Sequence, residues 1–541
     1  MVIRFPRYLS VTLALLSCAL CISIYHYFGH TWDEPEHLAA GMQLLDQGLY
    51  TYDIQHPPLA RLAMAVGPYL AGARSFGDLG PSGDQEGRDL LYRTGNYDRI
   101  LTLARLGVLP FLILMLVATW AWGRHLLGEV PAALAVFWLA TLPTLLGHAA
   151  LATLDVPGAA MDTLALYLSV RWFETPTWPL SLLLGMAGGL AVGTKLSAIP
   201  FLGLCLPAMG AMRLVLGAAS QPAVTGTPGR LLARGAGAAV AAVLVLVLVY
   251  GGRFENFSAN LPIPVPMALE KLTAGIQLLT EHNQEGHLSF LLGEVRTTGW
   301  WYFYPVALAV KTPLPLLLLG IPGLGLLAGR GVRDRDWRLV TPAACFAVVL
   351  VFCCAFSRIN IGIRHVLILY PPLALGAVYA STLAWQSRGR VAKPVLVALL
   401  VWQTGSLWTA YPDYLPYFNE LARRRPEAVL IDSDLDWGQD LHRLERALHA
   451  RRVPSLSFVF RGNADWLRED LPTFTFLPPH IPTTGWVAVD LLAKMELAAG
   501  GDGYAWLDAY VPVARIGKTI DLYFIPPPAP TGQATIPGAG Y

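Results

Sequence analysis

The chain has 541 residues, of which 54% are hydrophobic and only 14% are charged, and its mean hydropathy is +0.47. Soluble domains carry about 25% charged residues, so a water-soluble protein of this length would expose too much apolar surface. The composition therefore predicts an integral membrane protein. A formal net charge of +2, with no long basic run, argues against a nucleic-acid partner.

Eleven apolar segments are long enough to cross a bilayer, and several contain Gly or Pro, which membrane helices tolerate. The first runs from about residue 8 to residue 28. It resembles a secretory signal, but its apolar part is too long for one, so we predict an uncleaved first helix. The other spans are predicted at about 101–122, 131–150, 155–173, 178–194, 196–217, 235–251, 305–328, 338–356, 364–385 and 393–411.

The distribution of Lys and Arg in the short loops predicts the orientation of the chain. With the N-terminus in the cytoplasm, every cytoplasmic connection carries basic residues. These residues are Arg124, Arg171, Arg213, Arg230, Arg234, Arg330, Arg333, Arg335, Arg338, Arg388, Arg390 and Lys393. We therefore predict a multi-pass membrane protein whose long loops and C-terminal part face the outer side; the family resemblance given below implies that the membrane is a bacterial inner membrane and the outer side periplasmic.

Residues 1–411 are predicted to form the transmembrane domain, with outer loops at 29–100 and 252–300. The first loop contains two amphipathic stretches, 34–49 and 58–71, that are typical of helices lying on the membrane surface.

After Tyr411 the charge rises, and strand-like alternation occurs at Ser455–Phe460 and Gly485–Asp490. This pattern predicts a soluble outer α/β domain over residues 412–525. The last residues, 526–541, are rich in Pro, Gly, Ala and Thr and are predicted to be disordered. The predicted fold class is thus a polytopic α-helical membrane protein with outer amphipathic helices and a C-terminal α/β domain.

Two acidic residues follow predicted spans at the same outer depth. Asp33, beside Glu34, comes directly after the first span, and Asp155 lies in the next short outer loop. Each could simply cap a helix. Because charged groups avoid the middle of a membrane, two acids at one depth indicate a shared outward-facing cavity. A carboxylate there can accept a proton from a hydroxyl, or bind a sugar or a divalent metal.

Basic residues are predicted near the same depth: Lys195, Lys311, Arg358 and Arg364. Cations just below the outer interface suit a lipid phosphate, although each could instead extend towards lipid headgroups. Charge gathered at one face favours a surface active site over a transporter, which more often has polar residues at the midplane.

Other candidates are weaker. His56 precedes the second amphipathic stretch, and His287 lies in the second outer loop. Residues 432–440 resemble a calcium-binding loop, but Trp437 stands where an EF-hand needs Gly, which favours a solvated turn. The absence of a Gly-rich nucleotide cradle argues against a nucleotide-sugar or ATP user.

Several short motifs together resemble the protein O-mannosyltransferase-like, or lipid A aminoarabinose transferase-like, branch of the C-type glycosyltransferases. They occur in the family's order over nearly the whole chain. The motifs are Trp32-Asp33-Glu34, His56-Pro57-Pro58-Leu59, Leu154-Asp155-Val156-Pro157, Gly193-Thr194-Lys195, Trp300 to Pro305 with Lys311-Thr312-Pro313, Arg364-His365 before Tyr370-Pro371-Pro372, Tyr417-Phe418-Asn419-Glu420, and Asp432 to Leu441.

The resemblance implies an enzyme that moves a sugar, usually with inversion, from a polyprenyl-phosphate carrier to an outer acceptor. Asp33 would act as the catalytic base or a positioning acid. The predicted substrate-binding residues are Glu34, His56, Asp155, Lys195, His287, Lys311, Arg358 and Arg364.

No cofactor is predicted with certainty, and the need for a divalent metal stays open. Residues 252–300 are too few for the β-trefoil insert of eukaryotic protein mannosyltransferases, which puts a protein acceptor in doubt. The acceptor could be a glycan, a lipid or a protein. The alternative hypotheses are a flippase for lipid-linked sugars and a non-catalytic glycan-binding membrane protein.

Overall fold

The computed structural model describes residues 5–77, 83–93, 95–217, 228–258, 261–498 and 503–527. Most of the predicted disordered tail lies outside these residues. The first half of the chain is helical. Its helices are α1 (Phe5–Ile24), α2 (Glu34–Gln47), α3 (Leu59–Leu70), α4 (Gly83–Tyr92), α5 (Tyr97–Leu106), α6 (Leu109–Leu127), α7 (Glu129–Ala140), α8 (Pro143–Ala149), α9 (Asp155–Glu174), α10 (Trp178–Val192), α11 (Ala198–Leu216) and α12 (Pro228–Val249).

The second outer segment contains two hairpins and one helix, and four further long helices follow it. The elements are β1 (Phe254–Ser258), β2 (Leu261–Pro266), α13 (Met267–Glu285), β3 (Ser289–Leu291), β4 (Glu294–Arg296), α14 (Phe303–Lys311), α15 (Leu314–Arg333), α16 (Trp337–Phe356), a 3-10 helix (Ile363–Leu369), α17 (Tyr370–Gln386) and α18 (Ala392–Ala410).

The structure is that of a multi-pass helical membrane protein, as predicted. Among the described residues, seven helices are long and apolar enough to cross a membrane, or eight if the bent pair α7 and α8 forms one span. The predicted count of eleven is therefore not confirmed, although a helix lies at each predicted position. Helix α10 has only 15 residues, and α9 carries Asp155, Asp162, Arg171 and Glu174.

The two ends of the helix bundle differ in their ion pairs. At the end predicted to be cytoplasmic, Glu129 pairs with Arg7 and with Arg124, and Glu174 pairs with Arg338. The opposite end is covered by α2 to α5 and by the chain that follows α18. Which end faces the cytoplasm stays a prediction.

The C-terminal part contains α19 (Asp432–Leu435), α20 (Leu441–Ala450), β5 (Ser455–Val459), β6 (Thr473–Phe476), β7 (Gly485–Asp490), α21 (Leu491–Ala498), β8 (Ala514–Ile516) and β9 (Ile520–Ile525). Its five strands form one sheet in the order β6-β5-β7-β9-β8. Strand β5 runs parallel to both β6 and β7, while β9 is antiparallel to β7 and β8. The prediction of an α/β domain in this region is confirmed.

The chain between α18 and the sheet packs into the transmembrane core. Tyr414, Phe418 and Leu435 are buried in the same hydrophobic cluster as α1, α9 and α17. The side chains of β5 and β9 form smaller separate clusters. The domain boundary at residue 412 stays a prediction, because residues 412–435 complete the core of the bundle.

The prediction of a solvated turn at residues 432–440 is wrong. Asp434, Asp436 and Asp440 are buried, and each accepts hydrogen bonds from backbone amides. Trp437 is 4% exposed. The segment lies beneath the first outer loop: the amide of Gly29 donates to the carbonyl of Gln439, at 3.0 Å.

Candidate functional site

A polar cavity of about 470 Å³ opens at the end of the bundle that carries the outer segments. Its walls come from the start of α2, the loop before α3, the start of α9, the turn before α11, α13, the 3-10 helix and α19. Its lining includes six of the predicted site residues. These are Asp33, His56, Asp155, Lys195, His287 and Arg364.

Two carboxylates and two cations alternate along one wall of the cavity. Asp33 Oδ2 lies 2.6 Å from an Arg364 guanidinium nitrogen, which is also 3.7 Å from Asp155 Oδ2. Asp155 Oδ1 lies 2.6 Å from Lys195 Nζ. The four charges balance, so the wall can receive an anion if the arginine or lysine changes partner.

Neither Asp33 nor Asp155 caps a helix, although both sequence positions allowed it. Asp33 precedes α2 but makes no capping hydrogen bond, and α9 begins at Asp155 itself. Glu34, the first residue of α2, accepts instead from the amide of Thr31, which precedes the helix, at 2.8 Å. Neither aspartate is used in capping, and both line the cavity.

Close packing fixes the two cations. The Arg364 guanidinium lies over the Trp437 ring, 4.3 Å from its centroid. Before it, Gly362 has φ 155°, and a Cβ there would lie 2.4 Å from the Ser433 hydroxyl. Lys195 passes Gly158 on α9, where a Cβ would approach its side chain to 3.1 Å. Gly362 is needed for both its φ and this close approach, whereas a side chain at Gly158 would require Lys195 to shift by a few tenths of an ångström.

A second charged group lies around His56. Its Nδ1 is 2.7 Å from the Asp53 carboxylate, which also pairs with the buried Arg61. Burial opposes ionisation of Asp53, but His56 and Arg61 hold its pKa below the usual range. Arg61 also donates to the Tyr50 hydroxyl at 2.9 Å. This network orients the His56 ring at the cavity wall, where it is 30% exposed.

Two further carboxyl groups in the cavity are poorly ionised at neutral pH. Burial raises the pKa of Glu36 to about 8, and the nearby charges of Asp53 and Asp84 add to the rise. Burial also raises the pKa of Asp432 to about 7, against the attraction of Arg364. The cavity therefore changes its charge in the neutral to weakly basic range.

Three predicted substrate-binding residues do not line the cavity. Glu34 is 1% exposed and forms a buried ion pair with Arg105, with both carboxylate oxygens at 2.8 Å from the guanidinium. Lys311 is fully buried and donates to the carbonyls of Leu415 and Asp434, at 2.8 and 2.5 Å. These two side chains stabilise the fold and cannot touch a substrate as placed.

Arg358 also lies outside the cavity lining. Its guanidinium donates to the carbonyl of Gln284 at 3.4 Å, and its amide donates to the Asn283 side chain. It links the loop after α16 to the end of α13. His287 does line the cavity. It lies beside His282, and its Nδ1 is 3.2 Å from Nε2 of His282.

Sequence reasoning missed several residues of the cavity. Asp53 precedes His56 by three residues, a spacing that indicates a local ion pair and could have drawn attention to it. Glu36 follows Asp33 by three residues and was not among the predicted site residues. Asp432 and Trp437 follow Asp33 by about 400 residues, and no local pattern in the sequence predicts that contact.

Among the described residues there is one compact group of possible metal ligands, and it lies outside this cavity. It consists of His442, Glu445 and Glu469, whose donor atoms lie within 4.8 Å of one another. The described Asp, Glu and His side chains that line the cavity form no group of three donor atoms that is as compact.

No family model and no curated protein sequence matches the chain. Its structure is similar to that of ArnT from Cupriavidus metallidurans bound to undecaprenyl phosphate, with a TM-score of 0.50 and 14% identity over 95% of this chain and 97% of that chain.

Two other solved structures are similar at lower scores. The archaeal oligosaccharyltransferase AglB from Archaeoglobus fulgidus has a TM-score of 0.42 and 13% identity over 75% of this chain and 55% of that chain. The arabinofuranosyltransferase AftD from Mycobacteria has a TM-score of 0.42 and 14% identity over 88% of this chain and 32% of that chain. The likeness to ArnT, over nearly the full length of both chains, confirms the prediction that this protein has the fold of the C-type glycosyltransferases.

Proposed function

We propose that this protein transfers a sugar from a polyprenyl-phosphate carrier to an acceptor on the outer side of a bacterial inner membrane. The observation that carries the proposal is the alternating wall of Asp33, Arg364, Asp155 and Lys195 in a cavity at one end of a membrane bundle. A carrier phosphate needs cations, and an attacking hydroxyl needs a base. The fold shared with ArnT, which was crystallised with undecaprenyl phosphate, supports the same proposal.

In this proposal the donor phosphate binds to Arg364 and Lys195. Both cations are paired with carboxylates in the free protein, at 2.6 Å each. A phosphodiester competes for the guanidinium with charge-assisted hydrogen bonds of similar strength. When Arg364 turns to the phosphate, Asp33 loses its partner and becomes a stronger base. Donor binding would thus activate the catalytic carboxylate.

The transfer itself is a single displacement. The acceptor hydroxyl attacks the anomeric carbon and gives its proton to Asp33, while the bond from that carbon to the phosphate oxygen breaks. The carrier phosphate leaves with the electron pair, and the anomeric configuration inverts. Asp155 holds Lys195 in position through the 2.6 Å contact and helps to position the sugar. His56 and His287, which also line the cavity, are proposed to contact the sugar or the acceptor.

The first experiment tests transfer in a strain that lacks the gene. Mass spectrometry of its lipids and glycans should show the loss of one sugar from one acceptor, and the wild-type gene should restore it. Complementation with Asp33→Asn should fail at equal protein levels. Restoration by that variant would contradict the catalytic assignment.

A second experiment separates transfer from transport. Purified protein is placed in liposomes with a polyprenyl-phosphate that carries a labelled sugar, and both movement across the bilayer and release of the carrier are followed. Carrier release that depends on an acceptor supports the transferase. Movement of the intact donor across the bilayer without release would support the flippase instead.

A further inference from the structure

A cluster of metal-ligating side chains lies at the contact between the C-terminal domain and the first outer loop. His442 and Glu445 lie on α20, three residues apart, so both face the same side of the helix. Glu469 lies in the connection between β5 and β6. Their donor atoms all lie within 4.8 Å of one another.

The geometry points to a binding site for a divalent transition metal, best suited to Zn²⁺, formed by His442, Glu445 and Glu469. One imidazole nitrogen and two carboxylate oxygens suit Zn²⁺, whereas Ca²⁺ and Mg²⁺ prefer all-oxygen sites. Two ligands at about 2.0–2.2 Å from a tetrahedral ion are about 3.4 Å apart. His442 Nε2 and Glu469 Oε2 lie at that separation, 3.4 Å. This site does not depend on the proposed transfer reaction.

The neighbours of the cluster support this assignment. The Tyr92 hydroxyl donates to Glu469 Oε1, which leaves Oε2 to face His442. The Asp470 amide donates to Glu445 Oε1 at 2.8 Å. Each carboxylate therefore has one oxygen held by a hydrogen bond and one that can serve as a ligand, as is usual around bound metals.

The charges of the cluster also favour a cation. Glu469 is only 6% exposed, and Glu445 lies close enough to exchange a hydrogen bond with it. A divalent ion bound between them would neutralise the two facing carboxyl groups.

The location gives the site a structural role. Tyr92 ends α4 and Tyr97 begins α5, and the Tyr97 ring lies 5.0 Å from that of His442. Close by, Arg468 pairs with Asp89 of α4 at 3.4 Å. A metal held by α20 and Glu469 would therefore brace the C-terminal domain against the loop that carries Asp33.

Zn²⁺ itself is the probe. The full-length protein in detergent is treated with a chelator and dialysed against Zn²⁺, and bound zinc is measured by mass spectrometry for the wild type, His442→Gln, Glu445→Gln and the double variant. We expect each single variant to bind the ion at least tenfold more weakly and the double variant to hold one equivalent less. Zn²⁺ should also raise the melting temperature of the wild type but not that of the double variant.

His449→Gln is the matched control, because His449 lies on the same helix and pairs with the exposed Asp470. It should bind zinc as the wild type does. Glu445→Gln keeps an oxygen for the Asp470 amide, so it should fold, which size-exclusion chromatography and circular dichroism check. Zinc content and melting shift that are the same in the double variant as in the wild type would overturn the proposal.

Discussion

The substitution Asp33→Asn tests the proposed base independently of the proposed phosphate site, because the two roles affect different kinetic constants. It removes one negative charge from a balanced set of four, so the wall of the cavity gains a net positive charge. We therefore expect the Michaelis constant for the donor to fall or stay level. The turnover number should drop about 10²–10⁴-fold, the usual contribution of a general base, or about 3–5 kcal/mol of barrier.

Folding should survive this change. The asparagine oxygen can still accept from Arg364, and Asp155 lies 3.7 Å from the same guanidinium nitrogen. The Asp33 side chain is 24% exposed, so the lost ion pair costs about 1 kcal/mol. The melting temperature in detergent should change by only a few degrees.

Asp46→Asn is the matched control for this experiment. Asp46 lies on the same outer loop, is 20% exposed and pairs with Arg74, but does not line the cavity. The assay follows release of labelled sugar from a polyprenyl-phosphate donor in liposomes. A turnover number for Asp33→Asn within threefold of both the wild type and Asp46→Asn would refute the assignment of Asp33 as base.

Three further predictions concern the surroundings of the cavity. Glu36, with its pKa of about 8, is neutral below that pH and negative above it, so affinity for the anionic donor should weaken as the pH rises from 7 to 9. Glu36→Gln should flatten this pH dependence in binding titrations. Glu34→Gln leaves the buried Arg105 without its charged partner and should lower the free energy of unfolding by about 3–5 kcal/mol, seen as a loss of thermal stability. Arg364→Lys keeps the charge but not the planar contact with Trp437, and should weaken binding of undecaprenyl phosphate about tenfold in direct titrations. Unchanged binding would show that Arg364 does not bind the phosphate.

Much of the helical architecture could be predicted from the sequence. The hydropathy of each segment and the charges of each short loop can be read without knowing which distant residues they contact. Asp33 and Asp155 were predicted to share a depth since each follows an apolar segment, and they share one cavity. Glu34 shows the limit of this reasoning. Asp33 lines the cavity whereas Glu34 pairs with the buried Arg105, and the sequence does not say which of the two neighbours takes which position.

The predictions for Lys311, as a substrate-binding residue, and for the turn around Trp437 were wrong for a different reason. The depth of Lys311 suits a lipid phosphate, but its ammonium group meets carbonyls of Leu415 and Asp434, more than 100 residues later in the chain. The acidic residues around Trp437 have the composition of an exposed turn. They are buried by distant segments, whose amides at Ile363, Leu492 and Lys518 donate to them. Contacts between distant segments decide both cases, and local patterns carry no information about them.

Backbone hydrogen bonds between the first outer loop and residues 437–439 affect when this loop can fold during synthesis. The amides of Gly29 and Trp32 donate to the carbonyls of Gln439 and Trp437, at 3.0 and 3.1 Å. The loop that carries Asp33 emerges early from the ribosome, but these acceptors are made some 400 residues later. A chain that ends before residue 437 would lack both contacts, so the loop that carries Asp33 can reach its described position only after residues 437–439 have been made.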